Sequence, residues 1–157
     1  MRLALYRPDI HTNVAALMRH CACLGVPLDI IGPTGFVWDE EKVRRVVMDY
    51  EQHLDYVRHD SWEAFMSQRR GRLVLFTTKA VQGYTDVEYR PDDILLMGRE
   101  SAGVPPSVHD AADERVTIPM RDGPRSLNLA MAAAMAVGEG LRQTQCRSQS
   151  NQDRISP

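Results

Sequence analysis

VTIPMRDGPRSLNLAMAAAMAVGEG, residues 116–140, passes from a short apolar strand through a polar loop into a helix of small side chains. Val116–Ile118 reads as a strand end and Pro119 stops ladder pairing. Asp122, Gly123 and Pro124 are turn residues that bend the backbone and leave its amides exposed. A loop of that kind suits a ligand. From Leu127 to Ala136 almost every residue is Ala, Leu or Met, and Ala130, Ala132, Ala133, Ala134 and Ala136 allow another backbone to come close. Composition alone reads this equally well as a C-terminal core helix. The polar group Arg125, Ser126 and Asn128 at its start is less easily explained by packing.

Upstream, short apolar runs alternate with helical patterns. Leu3–Tyr6, Leu28–Ile31, Leu73–Thr77 and Ile94–Met97 suit strands buried on both faces, and Leu54–Arg58 alternates weakly enough to suit an edge strand. Between them, Val14, Leu17, Met18 and Cys21 form one helical stripe that Thr12 or Asn13 can cap and that Gly25 and Pro27 end. A second helix follows Asp39, with Val43, Val46, Val47 and Tyr50 inward and Arg44 and Arg45 outward. Ser61 can cap a third that carries Trp62, Phe65 and Met66, and Pro106–Ala112 suits a short fourth. This order predicts an α/β fold: a mostly parallel sheet with helices on both faces. In such sheets ligands sit at the carboxyl ends of the strands. The loops Thr77–Gly83, Gly98–Pro105 (GRESAGVP) and Pro119–Asn128 lie there and can converge on one pocket.

The 157 residues fit one domain over 1–143, followed by a polar tail, 144–157, with almost nothing to bury and expected to be disordered. No apolar run approaches the roughly 20 residues of a membrane helix and no secretory signal pattern opens the chain, so it reads as cytoplasmic, without a membrane partner. Cys21, Cys23 and Cys146 form no CxxC pair, and the five His have no metal-ligand spacing, so neither disulfides nor a metal is expected. GRESAGVP does not fit GxGxxG, and no Walker loop, HExxH or GxSxG occurs. The net charge of -2 excludes a uniformly basic nucleic-acid binder. Yet 17 of 19 basic residues are Arg, which grips phosphate through its fork, although Arg-rich codon usage would give the same bias. Arg69, Arg70 and Arg72 fit a charged turn as well as a phosphate contact.

Three segments together, Asn13–Arg19, GRESAGVP at 98–105 and IPMRDGPRSLNLA at 118–130, resemble the three motifs of the SPOUT superfamily of RNA methyltransferases, in order and spacing. The opening LALYRPDIHTNVAALMRHCACLG and the segment GPTGFVWDEEKVRRVVMDY are closer still to the TrmL type, which methylates the ribose 2'-hydroxyl of the tRNA wobble nucleotide. The resemblance spans residues 1 to about 143. It implies a homodimer with a deep C-terminal trefoil knot, a topology that general rules of chain connection would not offer. It also implies S-adenosylmethionine as cofactor and the tRNA anticodon stem-loop as partner. The resemblance assigns cofactor binding to Phe76, Thr77, Thr78, Gly98, Gly103, Ile118, Met120, Ser126 and Leu127. It assigns catalysis to Arg19, Glu100, Ser126 and Asn128. Arg121 and Arg125, with Arg44 and Arg45 behind them, are the RNA contacts expected. One departure is that Ala15 stands where the first motif usually has glycine, with His11-Thr12 in place of Pro-Pro.

A ribose hydroxyl is a poor nucleophile, while a guanidinium stays protonated. Arg19 is therefore expected to act electrostatically, by clamping the adjoining phosphate and stabilising negative charge on the 2'-oxygen. Without the resemblance, Arg19 reads first as a solvated helix residue. Three alternatives stay open on sequence: a related enzyme acting on another tRNA or rRNA nucleotide, a non-catalytic RNA-binding knotted dimer, and a flavodoxin-like nucleotide module.

Overall fold

The computed structural model describes residues 1–41, 43 and 52–152. Six strands make one sheet in which every pairing is parallel: β1 (Arg2–Tyr6), β2 (Leu28–Ile31), β3 (Tyr56–His59), β4 (Leu73–Phe76), β5 (Ile94–Met97) and β6 (Glu114–Val116). Their order across the sheet is β3-β2-β1-β5-β4-β6. Helices α1 (His11–Leu24), α2 (Trp62–Gln68), α3 (Pro106–Asp110) and α4 (Leu129–Gln152) cover it. Parallel strands joined by crossovers are walled on both faces, which is why β1, β2, β4 and β5 read as unbroken apolar runs.

Leu3, Leu5, Leu28, Ile30, Val74, Leu95 and Met97 face one core layer with Val14, Leu17, Met18 and Cys21 of α1 and Ala130, Ala133, Ala136 and Val137 of α4. Burial pushes the Cys21 thiol up to about 12, so it behaves as a small apolar group. Ala4, Tyr6, Leu73, Leu75, Ile94 and Leu96 face the other layer with Phe65 of α2 and Val108 of α3. The small side chains of α4 let it lie against α1, and at Gly140 the side chain of Met1 occupies the place a Cβ would take.

Several boundaries differ from the sequence expectation. α1 begins at His11 after Ile10 with no side-chain cap, so neither Thr12 nor Asn13 is the cap. Asn13 turns inward instead, because both ends of its amide are claimed by Glu100 and Asn128. β6 ends at Val116 rather than running on to Ile118. Its polar first residues, Glu114 and Arg115, are tolerated because β6 is an edge strand. α4 runs past Thr144, where the sequence predicts the tail, to Gln152. No Gly or Pro interrupts 141–152, and a helix already nucleated by packing gains one bond for each added residue. Residues 153–157 lie outside the described residues.

Other expectations match their elements. Ser61 caps α2 by accepting from Ala64 N at 3.1 Å, and the weakly alternating segment is the edge strand β3. A helix begins after Asp39, whose carboxylate accepts from Glu41 N at 3.0 Å. Its predicted continuation through Val46, Val47 and Tyr50, with Arg44 and Arg45, lies outside the described residues. Arg69 and Arg72 are structural. Arg69 pairs with Asp113 at 2.9 Å, and Arg72 forks onto the fully buried Asp93 at 2.9 and 2.8 Å.

Candidate active site

The carboxyl ends of β4, β5 and β6 open into a cavity of about 380 Å³, within the roughly 300–1,000 Å³ range of small-molecule sites. Three loops wall it. Phe76, Thr77, Thr78 and Lys79 leave β4; Gly98 through Val104 leave β5; Thr117, Ile118, Met120, Ser126, Leu127 and Asn128 lie between β6 and α4. Ile10 and Asn13 close it from the β1 side. The loops converge because β4, β5 and β6 are all parallel, so their carboxyl ends share one sheet edge.

Main-chain geometry sets the narrow part. Arg99 and Gly103 exchange two main-chain hydrogen bonds of 2.9 Å, closing Glu100, Ser101 and Ala102 into a tight turn. A Cβ at Gly98 would come within 2.8 Å of the Gly103 carbonyl carbon, and Gly103 has a φ of 65°. Only glycine meets both demands without strain.

A polar chain runs along the β1 side. Glu100 Oε2 accepts from the Asp9 main-chain N at 2.7 Å and Oε1 from Asn13 Nδ2 at 3.0 Å. Asn13 Oδ1 accepts from Asn128 Nδ2 at 3.1 Å. Asn128 Oδ1 in turn accepts from Ala130 N at 2.9 Å and Met131 N at 3.3 Å, capping α4. Every amide orientation is fixed by this chain, since swapping N and O in either Asn would set like groups together. The Asp9 carboxylate accepts from Arg99, from Ser101 N and from Ser101 Oγ, and these donors hold it well below its usual range, at about 2.

Of the residues expected to bind cofactor, Phe76, Thr77, Thr78, Gly98, Gly103, Ile118, Met120, Ser126 and Leu127 all line this cavity, as do Glu100 and Asn128. Arg19 does not; it lies on the exposed side of α1. Arg121 and Arg125 are exposed on the 119–128 loop and do not line it either. Arg44 and Arg45 lie outside the described residues. Sequence reading missed Asp9, Arg99 and Ser101, and took Asn13 only for a motif and cap residue. Asp9 sits in a Pro-Asp pair that reads as an ordinary turn, and its partners are about 90 residues away.

S-adenosylmethionine suits the residues present. The wall combines the apolar residues Phe76, Met97, Ile118 and Leu127 with Thr77, Thr78, Gly98 and Ser126, a mixture that suits a nucleoside ring system. Glu100, Asn13 and Asn128 give that wall one polar edge.

An all-parallel α/β sheet with a mainly apolar cavity at its carboxyl edge, tied off by a carboxylate-amide chain, is the arrangement of a nucleoside-type binding site beside a polar rim. More narrowly, the chain matches the SpoU rRNA Methylase family over residues 1–138 and belongs to it. It is 56% identical over 144 residues to the tRNA (cytidine(34)-2'-O)-methyltransferase of Beijerinckia indica, covering 90% of each chain. It is 37% identical over 146 residues to the enzyme of that name from Escherichia coli K12, covering 91% of this chain and 93% of the relative. A solved structure concerned with the 2-OH methylation of C/U34 on tRNA superposes with a TM-score of 0.84 at 38% identity, covering 90% of this chain and 94% of that one. The SpoU methyltransferase AviRb of Streptomyces viridochromogenes, solved with AdoMet, superposes at 0.80 with 26% identity, over 91% of this chain and 60% of that one.

Proposed function

We propose that the protein transfers a methyl group from S-adenosylmethionine to the ribose 2'-hydroxyl of the wobble nucleotide, cytidine or uridine, in the tRNA anticodon loop. The observation that carries this is the convergence of Glu100, Asn13 and Asn128 on the rim of a cavity suited to the cofactor, in a chain 56% identical to a cytidine-34 enzyme. The bound cofactor supplies an electrophilic methyl group on a sulfonium. The chain's own residues orient the acceptor. Glu100 accepts from two N–H donors and keeps oxygen lone pairs free for a ribose hydroxyl, and Ser126 adds a hydroxyl on the opposite loop. Fixing the hydroxyl in line lowers the barrier without any change in the protein during reaction.

Arg19 enters this reading as the phosphate clamp, and its place on the exposed side of α1 supports delivery to the cavity of a second copy. Leu127, Met131 and Met135 are exposed apolar residues at and beyond the cavity rim on the start of α4. We infer that a homodimer covers them. The trefoil knot belongs to the same reading, supported by membership of the SpoU family and the match to solved methyltransferases of that family. Arg121 and Arg125 would then meet RNA backbone beside the cavity. No described helix is long and apolar enough to cross a membrane, and we place the enzyme in the cytoplasm with its substrate.

The test is incubation with methyl-labelled S-adenosylmethionine and unmodified tRNA, followed by mapping of 2'-O-methylation. Label at the wobble ribose, absent with Arg19→Ala, supports the reading. Label at another nucleotide replaces the substrate, and cofactor binding with no label on any RNA overturns the activity.

A further inference from the structure

We propose that Asp9 is a positioning residue for Glu100, holding the 98–103 turn in the one arrangement that aims the Glu100 carboxylate at the acceptor side of the cofactor cavity. This rests on the methyl-transfer reading above for its kinetic consequence, but its structural basis is independent of it.

Asp9 follows Pro8 just beyond β1, and among the described residues its polar contacts go to the residues around Glu100 or to Glu100 itself. Its carboxylate takes Arg99 Nε at 3.1 Å and Nη2 at 2.5 Å from the residue before Glu100. It takes Ser101 N at 3.0 Å and Ser101 Oγ at 2.6 Å from the residue after. Its main-chain N–H then donates to Glu100 Oε2 at 2.7 Å. One residue therefore fixes both flanks of Glu100 and one of its oxygens, and Asn13 Nδ2 fixes the other oxygen at 3.0 Å. Charge-assisted bonds of this kind are short and directional.

Asp9 cannot easily give way. Gly35 N donates to Pro8 O at 2.9 Å, and a Cβ at Gly35 would lie 2.8 Å from Asp9 Oδ1 and 2.9 Å from its Cα. The turn it grips is equally confined, since the Arg99–Gly103 bonds close it and Gly98 abuts Gly103. Asp9 is thus wedged between the 33–36 loop and the cavity wall. The turn's own closure fixes its internal shape, and Asp9 ties both flanks of that shape to the β1 side, where Asn13 reaches only the Glu100 carboxylate. Without its charge the turn keeps its fold and loses its registration against Asn13 and Asn128.

The test uses the full chain with Asp9→Asn, which keeps the side-chain size and the main-chain N–H. Arg99→Ala is a second variant that removes two of the five contacts. Turnover on unmodified tRNA is expected to fall about 10- to 100-fold for Asp9→Asn, with KM for RNA changed by less than about threefold. In a Glu100→Gln background the same substitution should cost less than about twofold of the residual rate, the non-additivity expected when one residue acts through another. Hydrogen exchange supplies a readout that needs no turnover. Amides of 98–104 should exchange about 10-fold faster in Asp9→Asn while those of β1, β5 and α1 are unchanged, and Arg99→Ala should move them in the same direction by less. Equal losses of turnover in both backgrounds, or unchanged exchange in 98–104, would overturn the assignment. If the wild-type chain methylates no tRNA, the functional reading fails and the exchange result alone decides the role of Asp9.

Discussion

Asn128 performs two tasks with one amide. Its oxygen caps α4 through Ala130 N and Met131 N, and its nitrogen ties the cap to Asn13 and so to Glu100. Asn128→Ala should therefore destabilise the chain by roughly 1 kcal/mol, the usual loss for an N-cap, read as a lowered urea midpoint. Asn128→Asp keeps the cap but sets a carboxylate oxygen against Asn13 Oδ1, so it should lose the tie to Asn13 and Glu100, and methyl transfer should fall although the helix cap is kept. Asp9 gives a different signature. Its folded-state carboxyl lies at about 2, below the ordinary 3.8, so the stability it confers is present above about pH 4 and is lost as pH falls toward 2. Wild type and Asp9→Asn should differ most in urea midpoint near neutrality and converge at about pH 2; a constant gap across that range would show that the charge is not what matters. Residues such as Ile118, Leu127 and Glu100 were legible in sequence because they fall inside a motif with a known order. Asp9 was not, since nothing local to Pro8-Asp9 reveals an Arg and a Ser about 90 positions later.

At the scale of elements, the parallel sheet was readable for a physical reason. A strand buried on both faces must be apolar throughout, so Leu3–Tyr6 and Leu28–Ile31 stood out and match β1 and β2 to within a residue. Helix ends were less readable, because a polar side chain such as that of Asn13 serves a cap or a tertiary partner equally well and only the fold decides which. The polar end of α4 shows a related limit: composition reports what a segment can bury, not whether a packed helix upstream will extend into it. Two predictions belong here. Gly98→Ala sets a methyl 2.8 and 2.9 Å from Gly103 backbone atoms, so the 98–103 turn must shift. S-adenosylmethionine affinity should drop by about 10-fold or more while the thermal midpoint changes little, as calorimetric titration would show. Asp93 enters β5 fully buried, forked by Arg72 and bonded to Arg90 N. Asp93→Ala leaves Arg72 with only Glu114 and the Glu88 carbonyl and strips Arg90 N of its acceptor, so it should cost about 1.5–3 kcal/mol by chemical denaturation, the range for hydrogen bonds to a charged group.

At the scale of the whole molecule, the proposed homodimer turns the separation of Arg19 from the cavity into a test of assembly. Glu100, Ser126 and Asn128 line the cavity, whereas Arg19 lies on the exposed side of α1. If a second copy packs over Leu127, Met131 and Met135, each complete site takes Glu100 from one protomer and Arg19 from its partner. Arg19→Ala and Glu100→Gln homodimers should then both be impaired. In a mixed dimer, however, the Arg19→Ala protomer keeps an intact Glu100 and receives an intact Arg19 from the Glu100→Gln protomer, so one site of two is complete. Half the dimers are mixed after random exchange, so an equimolar mixture should recover roughly a quarter of wild-type turnover per protomer. Were Arg19 to serve the cavity of its own chain, every site in the mixed dimer would lack one group and mixing would restore nothing. Adding Met131→Glu and Met135→Glu to both chains should place charge on the covered apolar face, shift the sedimenting species to monomer and abolish the recovery. Recovery that survives this change would place Arg19 delivery elsewhere than across the α4 face.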